Sequence, residues 1–148
     1  MLKAVMRAFV LSVLIAGVVA EASAQQGKPE IDAALVARIE SEMVMPKGAG
    51  PLTAYQRFYA VTEIGATPVV RGVFVSGGGA QLIKRFADPV PGVSGAHAMR
   101  SGRDVPSIVG GGCSVVETIF DLEAMALRTA EAKKPGVPTP TAFCHAEG

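Results

Sequence analysis

The chain has 148 residues, with 14 basic and 13 acidic side chains, no Trp and, read through, no Asn. That near-balance, with no clustered run of lysine and arginine, argues against a nucleic-acid partner. The absence of Asn removes any N-x-S/T glycosylation site, and the length is that of one compact domain with a modest core.

The chain opens "MLKAVMR", with Lys3 and Arg7, then runs without charge over 8–20 and reaches Ala22-Ser23-Ala24 before Gln25. A basic start, an apolar stretch and a small-residue exit predict a secretory signal peptide over 1–24, cleaved after Ala24. The apolar run is shorter than the roughly 20 residues a membrane-spanning helix needs. No comparable run follows, so no stable membrane insertion is expected after cleavage. No cysteine follows the cleavage site, so no bacterial lipid anchor is indicated. The expected location is periplasmic or secreted. Lys3, Arg7 and Glu21 leave with the signal, so residues 25–148 are formally neutral and form a single small domain.

After a leader over 25–30, "PEIDAALVARIESEM" repeats Ile31, Leu35, Ile39 and Met43 every four residues, with Val36 widening the stripe. This predicts an amphipathic helix, with Pro29 at its first position and Glu30 and Asp32 in its first turn. Pro46, Gly48, Gly50 and Pro51 end it. Two strands are predicted next, over 55–64 and 69–76, broken by "GATP". In the second, Val69, Arg71, Val73 and Val75 share one face, and Val70, Gly72 and Phe74 the other. Gly72 inside a strand points to a bulge or a close backbone contact. Arg71 reads either as an anion ligand or as a side chain lying along a sheet edge with its head in water.

The 76–95 stretch reads as connection with one short helix near 81–86. Gly77, Gly78 and Gly79 do not make a phosphate loop, because neither G-x-x-x-x-G-K-[ST] nor G-x-G-x-x-G is present. A short strand is predicted over 96–99, before Arg100, Arg103 and Asp104. "GGGCSVVETIFD" predicts an interior strand over 114–121, apolar on both faces. Beyond it two readings stand. Asp121 caps a helix that ends near Lys133 and Lys134, or the chain turns at 123–125 and returns as a strand. "PGVPTPT" then extends toward "AFCHAEG".

Cys113 and Cys144 are the only cysteines. In an exported chain an even, small count predicts a disulfide between them. A nucleophilic Cys113 would need a base and an orienting group. His145 adjoins Cys144 instead, and His97 has no acid beside it in sequence, although folding could bring Asp104 or Asp121 close. The spacing is not C-x-x-C, so redox exchange is not expected. "GVSGAH" around Ser94 is not a G-x-S-x-G elbow. Glu63, Glu117 and Asp121 could share a sheet as carboxylate pairs. Met43 with Met45, and His97 with Met99, are soft-ligand pairs suited to Cu(I). Met43 also belongs to the helix stripe, and methionine commonly fills gaps in cores.

"YAVTEIGATPVVRGVFV", then "GGGCSVVETIFDLEA" and a late cysteine, resemble a group of small exported proteins of Gram-negative bacteria with a Gly-Gly-Cys-Ser-Val-Val motif. The resemblance implies an exported α+β domain and no activity. In that group the second cysteine comes sooner after the first, within a hairpin, which favours the returning strand here. The "EAKKPGVPTPTAF" stretch departs from that pattern.

The expected fold is α+β: one N-terminal helix on an antiparallel sheet of about four strands, with one disulfide. The expected function is a non-enzymatic binding or envelope-associated module for an envelope protein or small ligand, with no catalytic residues, cofactor or metal. The alternatives are a small periplasmic enzyme without cofactor and a periplasmic copper-binding protein.

Overall fold

The computed structural model describes residues 29–101, 105, 108, 110–129 and 141–145. The expected signal peptide over 1–24, the leader to 28, Arg103, Asp104, Lys133, Lys134 and the proline arm to 140 lie outside the described residues.

The first helix, α1 (Ala33–Ser41), starts later than its periodicity predicts. Asp32 is its N-cap, accepting from the Leu35 N–H at 2.8 Å, and this leaves Pro29, Glu30 and Ile31 ahead of the helix. Val36 and Ile39 are fully buried, with Ile31, Leu35 and Met43 packed beside them.

Next comes a hairpin of β1 (Gln56–Ile64) and β2 (Thr67–Val75), paired without a break from Gln56–Val75 to Ile64–Thr67. Gly65 has φ +66° in its two-residue turn, the left-handed conformation such turns require. The chain leaves β2 through α2 (Ala80–Ile83), tightens into a 3-10 turn over Lys84–Phe86, and enters β3 (Ala87–Pro89) and β4 (Ala96–Met99). It returns to β5 (Val115–Asp121), turns, and forms β6 (Ala126–Leu127) and finally β7 (Ala142–Cys144). Of the two readings beyond Asp121, the turn holds: 122–125 reverse the chain and β6 returns along β5.

The expected sheet is corrected in two respects. Among the described residues it has seven strands rather than about four, in the order β3-β4-β1-β2-β5-β6, with β7 also on β5. It is mixed rather than antiparallel, because β4 runs parallel to β1. The expected α+β class is corrected as well: among the described residues the helical part is a nine-residue α1, the short 80–86 segment and two single 3-10 turns, so the molecule is mostly a mixed sheet. The reason is topological. The chain crosses from β2 to the far side of β1, pairs β3 with β4 there, and crosses back to β5. Strands of two to four residues are too short to show a period in sequence.

The two sheet faces separate cleanly. Tyr55, Tyr59, Val61, Val70, Phe74, Val116, Phe120 and Ala142 pack under α1. Phe58, Ala60, Val73, Val75, Val115 and Met99 face the other way, covered by Ala80 and Ile83 of α2 and by Val105 on the return crossing. Phe58, Tyr59, Phe74 and Phe120 are fully buried, each removing enough apolar area to favour folding by roughly 1.5–3 kcal/mol.

Candidate functional site

The glycines before Cys113 set its position. Gly110, Gly111 and Gly112 have φ of +79°, +95° and +51°, three successive left-handed residues that side-chain-bearing residues rarely adopt. A Cβ on Gly111 would also lie 2.9 Å from Val115 Cγ2. The turn they make brings Cys113 opposite β7, where it is disulfide-bonded to Cys144 with Cα atoms 4.5 Å apart. The Tyr55 hydroxyl donates to the Cys113 carbonyl at 2.7 Å and accepts from the Gly50 N–H at 3.1 Å. Cys113 is therefore a structural half-cystine in a hydrogen-bonded corner.

The disulfide also places a histidine. β7 pairs Glu117 with Phe143, and the His145 N–H donates to the Val115 carbonyl. His145 Nε2 then lies 2.9 Å from Glu117 Oε2, while Arg71 Nε donates to Glu117 Oε1. Arg71, Glu117 and His145 form a polar trio across β2, β5 and the end of β7. Arg71 is neither an edge side chain nor an open anion ligand, because β2 is an interior strand and Glu117 holds its head. The carboxylates weighed with Glu117 do not join it. Glu63 stands exposed near the end of β1. Asp121 accepts from the Glu123 and Ala124 N–H groups and pairs with Arg128 at 3.1 Å.

His97 is on the same face of the sheet, stacked on Phe58 with ring centroids 5.2 Å apart and 3.1 Å from Gln56 Oε1. Burial, followed by the charges of Lys84 and Arg57, holds its imidazole below its ordinary value, which favours the neutral ring. The two soft-ligand pairs do not converge. Met43 and Met45 pack in the cluster under α1, whereas Met99 belongs to the cluster on the opposite face. Among the described residues no three His, Cys, Asp or Glu groups gather as a metal site.

Between α1 and β1 lies a buried polar lock that the sequence pattern did not reveal. The Tyr59 hydroxyl donates to Glu40 Oε1 at 2.7 Å. Arg57 Nε approaches the same oxygen at 2.7 Å, with an angle too bent for a hydrogen bond, and Arg57 Nη2 donates to the Ser94 carbonyl at 2.6 Å. Burial first, and then the Glu40 carboxylate, push the Tyr59 hydroxyl far above its usual range, so it stays a donor.

A cleft of about 450 Å³ opens at the β3–β4 side of the sheet. Its walls are the segment ahead of α1 (Pro29, Ile31), the β3 exit (Pro89, Val90) and β4 (Ala98, Met99). Val61 also lines it, as does the forked pair in which Arg100 Nε and Nη2 donate to Asp88 at 3.1 and 2.8 Å. That fork holds the Asp88 carboxyl below its ordinary value. Neither His97, nor Arg71, nor either cysteine lines this cleft. The sequence placed Pro29 at the start of a helix and Pro89 and Pro91 in a connection, and their convergence depends on the crossing that brings β3 beside β4. Compared with protein-family profiles, curated proteins and solved structures, the chain matches none.

Proposed function

We propose that the protein is an exported, envelope-associated binding module that seats a small ligand in the β3–β4 cleft and performs no chemistry on it. The observation that carries this reading is the separation of cleft and chemistry. The cavity is walled by Pro29, Ile31, Val61, Val90, Ala98 and Met99, with the Asp88–Arg100 pair and Glu30 as its charged groups. More of its exposed lining is polar than apolar, which suits a small, largely polar ligand held by a few oriented charges against apolar side chains. Among the described residues it offers no nucleophile paired with a base, which covalent catalysis would need. Export is supported by the 1–24 signal pattern and agrees with the Cys113–Cys144 disulfide.

The enzyme reading keeps one favouring observation, the Arg71–Glu117–His145 trio, in which a carboxylate orients an imidazole. Both Glu117 oxygens are already engaged, and the trio does not line the cleft, so its better role is to fasten β7.

The test is purification of the native protein from envelope extract, followed by intact-mass analysis and native mass spectrometry. A chain beginning at Gln25 with a bound small molecule is expected. Ala98→Phe, which fills the cleft, should abolish that co-purification while leaving processing unchanged. Retention of Met1, or a ligand held equally well by the Ala98→Phe variant, overturns the proposal.

A further inference from the structure

We infer that the α2 segment docks the protein on an anionic phospholipid surface, with Leu82 and Phe86 entering the acyl boundary and Lys84 and Arg85 meeting the headgroups. The inference rests on the envelope-associated reading above and names the surface involved.

The segment is fixed from beneath. Ala80 and Ile83 are buried against Phe58, Val73 and Val75, so α2 cannot turn its remaining apolar groups inward. Leu82 is 65% and Phe86 55% exposed. Both lie on the segment that leaves the end of β2. The other exposed large apolar residues among those described, Ile64 and Met125, belong to the turns at the opposite end of the same strands. Leu82 and Phe86 therefore form a separate local patch rather than part of a scattered set.

Charge complements that patch. No Asp or Glu occurs from 65 to 87. Lys84 and Arg85 have no ion pair among the described residues, and Arg71, the other cation in this stretch, is neutralised by Glu117. Two cations without counter-ions beside two protruding apolar side chains match an anionic amphiphile. The approach is open, because Gly77, Gly78 and Gly79 are exposed and an added Cβ on Gly77 or Gly78 would touch nothing. A second copy of the chain is a poorer occupant. Two side chains expose far less than the roughly 800 Å² per partner that a stable protein interface buries. A bilayer needs no shaped complement, and two apolar insertions with two cations give weak, reversible attachment.

The probe is a set of vesicles, one of phosphatidylcholine alone and one containing phosphatidylglycerol, co-sedimented with the processed native chain. Binding should require phosphatidylglycerol and decline as salt rises. Lys84→Gln with Arg85→Gln should lower partitioning about 25-fold, at roughly a factor of five per cation. Leu82→Ser with Phe86→Ser should lower it at least tenfold. Both double variants should keep the parent near-UV circular dichroism, since the altered side chains lie outside the core. No binding, or binding by a processed chain indifferent to both double variants, overturns the inference. Binding to either vesicle alike, by a chain whose mass retains Met1, overturns the export reading instead.

Discussion

At Gly72 an added Cβ would lie 2.8 Å from Thr118 Cγ2 and 3.0 Å from the Phe74 ring. Thr118 has little freedom to yield, because its hydroxyl donates to the Thr141 carbonyl at 2.8 Å and the residue is buried. Gly72→Ala is therefore expected to destabilise the protein by about 1–3 kcal/mol, read as a lower midpoint in urea at unchanged slope. Thr118→Ser in the same chain removes the offending methyl and should recover part of that loss. The sequence flagged Gly72 as a bulge or a close contact, and the unbroken β1–β2 register decides for contact. Arg71 was harder to read. Its partner Glu117 is on a strand 46 residues away, and nothing in the β2 pattern itself records which residue stands across from it. Glu40, Arg57 and Tyr59 were invisible for the same reason, since a buried charge pair leaves no periodic trace.

β7 has three residues, at the short end of the usual range, so its ladder supplies few bonds. It is kept in place by the disulfide and by Thr141, whose Oγ1 accepts from the Val44 N–H at 2.8 Å. The loop closed between Cys113 and Cys144 spans 31 residues, for which the chain-entropy estimate is about 3.5–4 kcal/mol. Cys144→Ser, Cys113→Ser and the double variant should each lower stability by a similar amount, about 2–5 kcal/mol. The amides of Phe143 and His145 should lose hydrogen-exchange protection well before those of β2. Undiminished protection at β7 would show that the ladder suffices without the bond. α1, β1, β2, β4 and β5 were legible because each is long enough to repeat or is bracketed by Gly and Pro. β6 was legible only as one of two readings of the stretch after Asp121, β3 and β7 were not legible, and the parallel pairing of β4 was hidden because it depends on the crossing over the sheet face, where Ala80, Ile83 and Val105 pack.

For the whole molecule, three depressed titrations shape stability against pH. His97 binds its proton less readily when folded, through burial and then Lys84 and Arg57, so the unfolded chain gains protons first. Stability should be complete above about pH 6.5, the ordinary histidine value, and fall as pH drops below it. Asp121, held down chiefly by the Ala124 N–H and then Arg128, and Asp88, held down by Arg100, are also depressed. Their contribution is present above their ordinary value of 3.8 and lost below it. Denaturation curves across this range should show two declines, and His97→Gln should remove the first alone. A first decline that persists in that variant would assign it elsewhere. The sheet margins carry a different consequence. One margin is β3, three residues long, in which Pro89 has no N–H and Asp88 carries charge. The other is shared by β6 and β7, of two and three residues, set at different levels along β5. Among the described residues neither border presents a continuous row of unpaired donors and acceptors to a neighbouring copy. Such margins disfavour edge-to-edge pairing between copies of the chain, even though its interior strands are rich in valine.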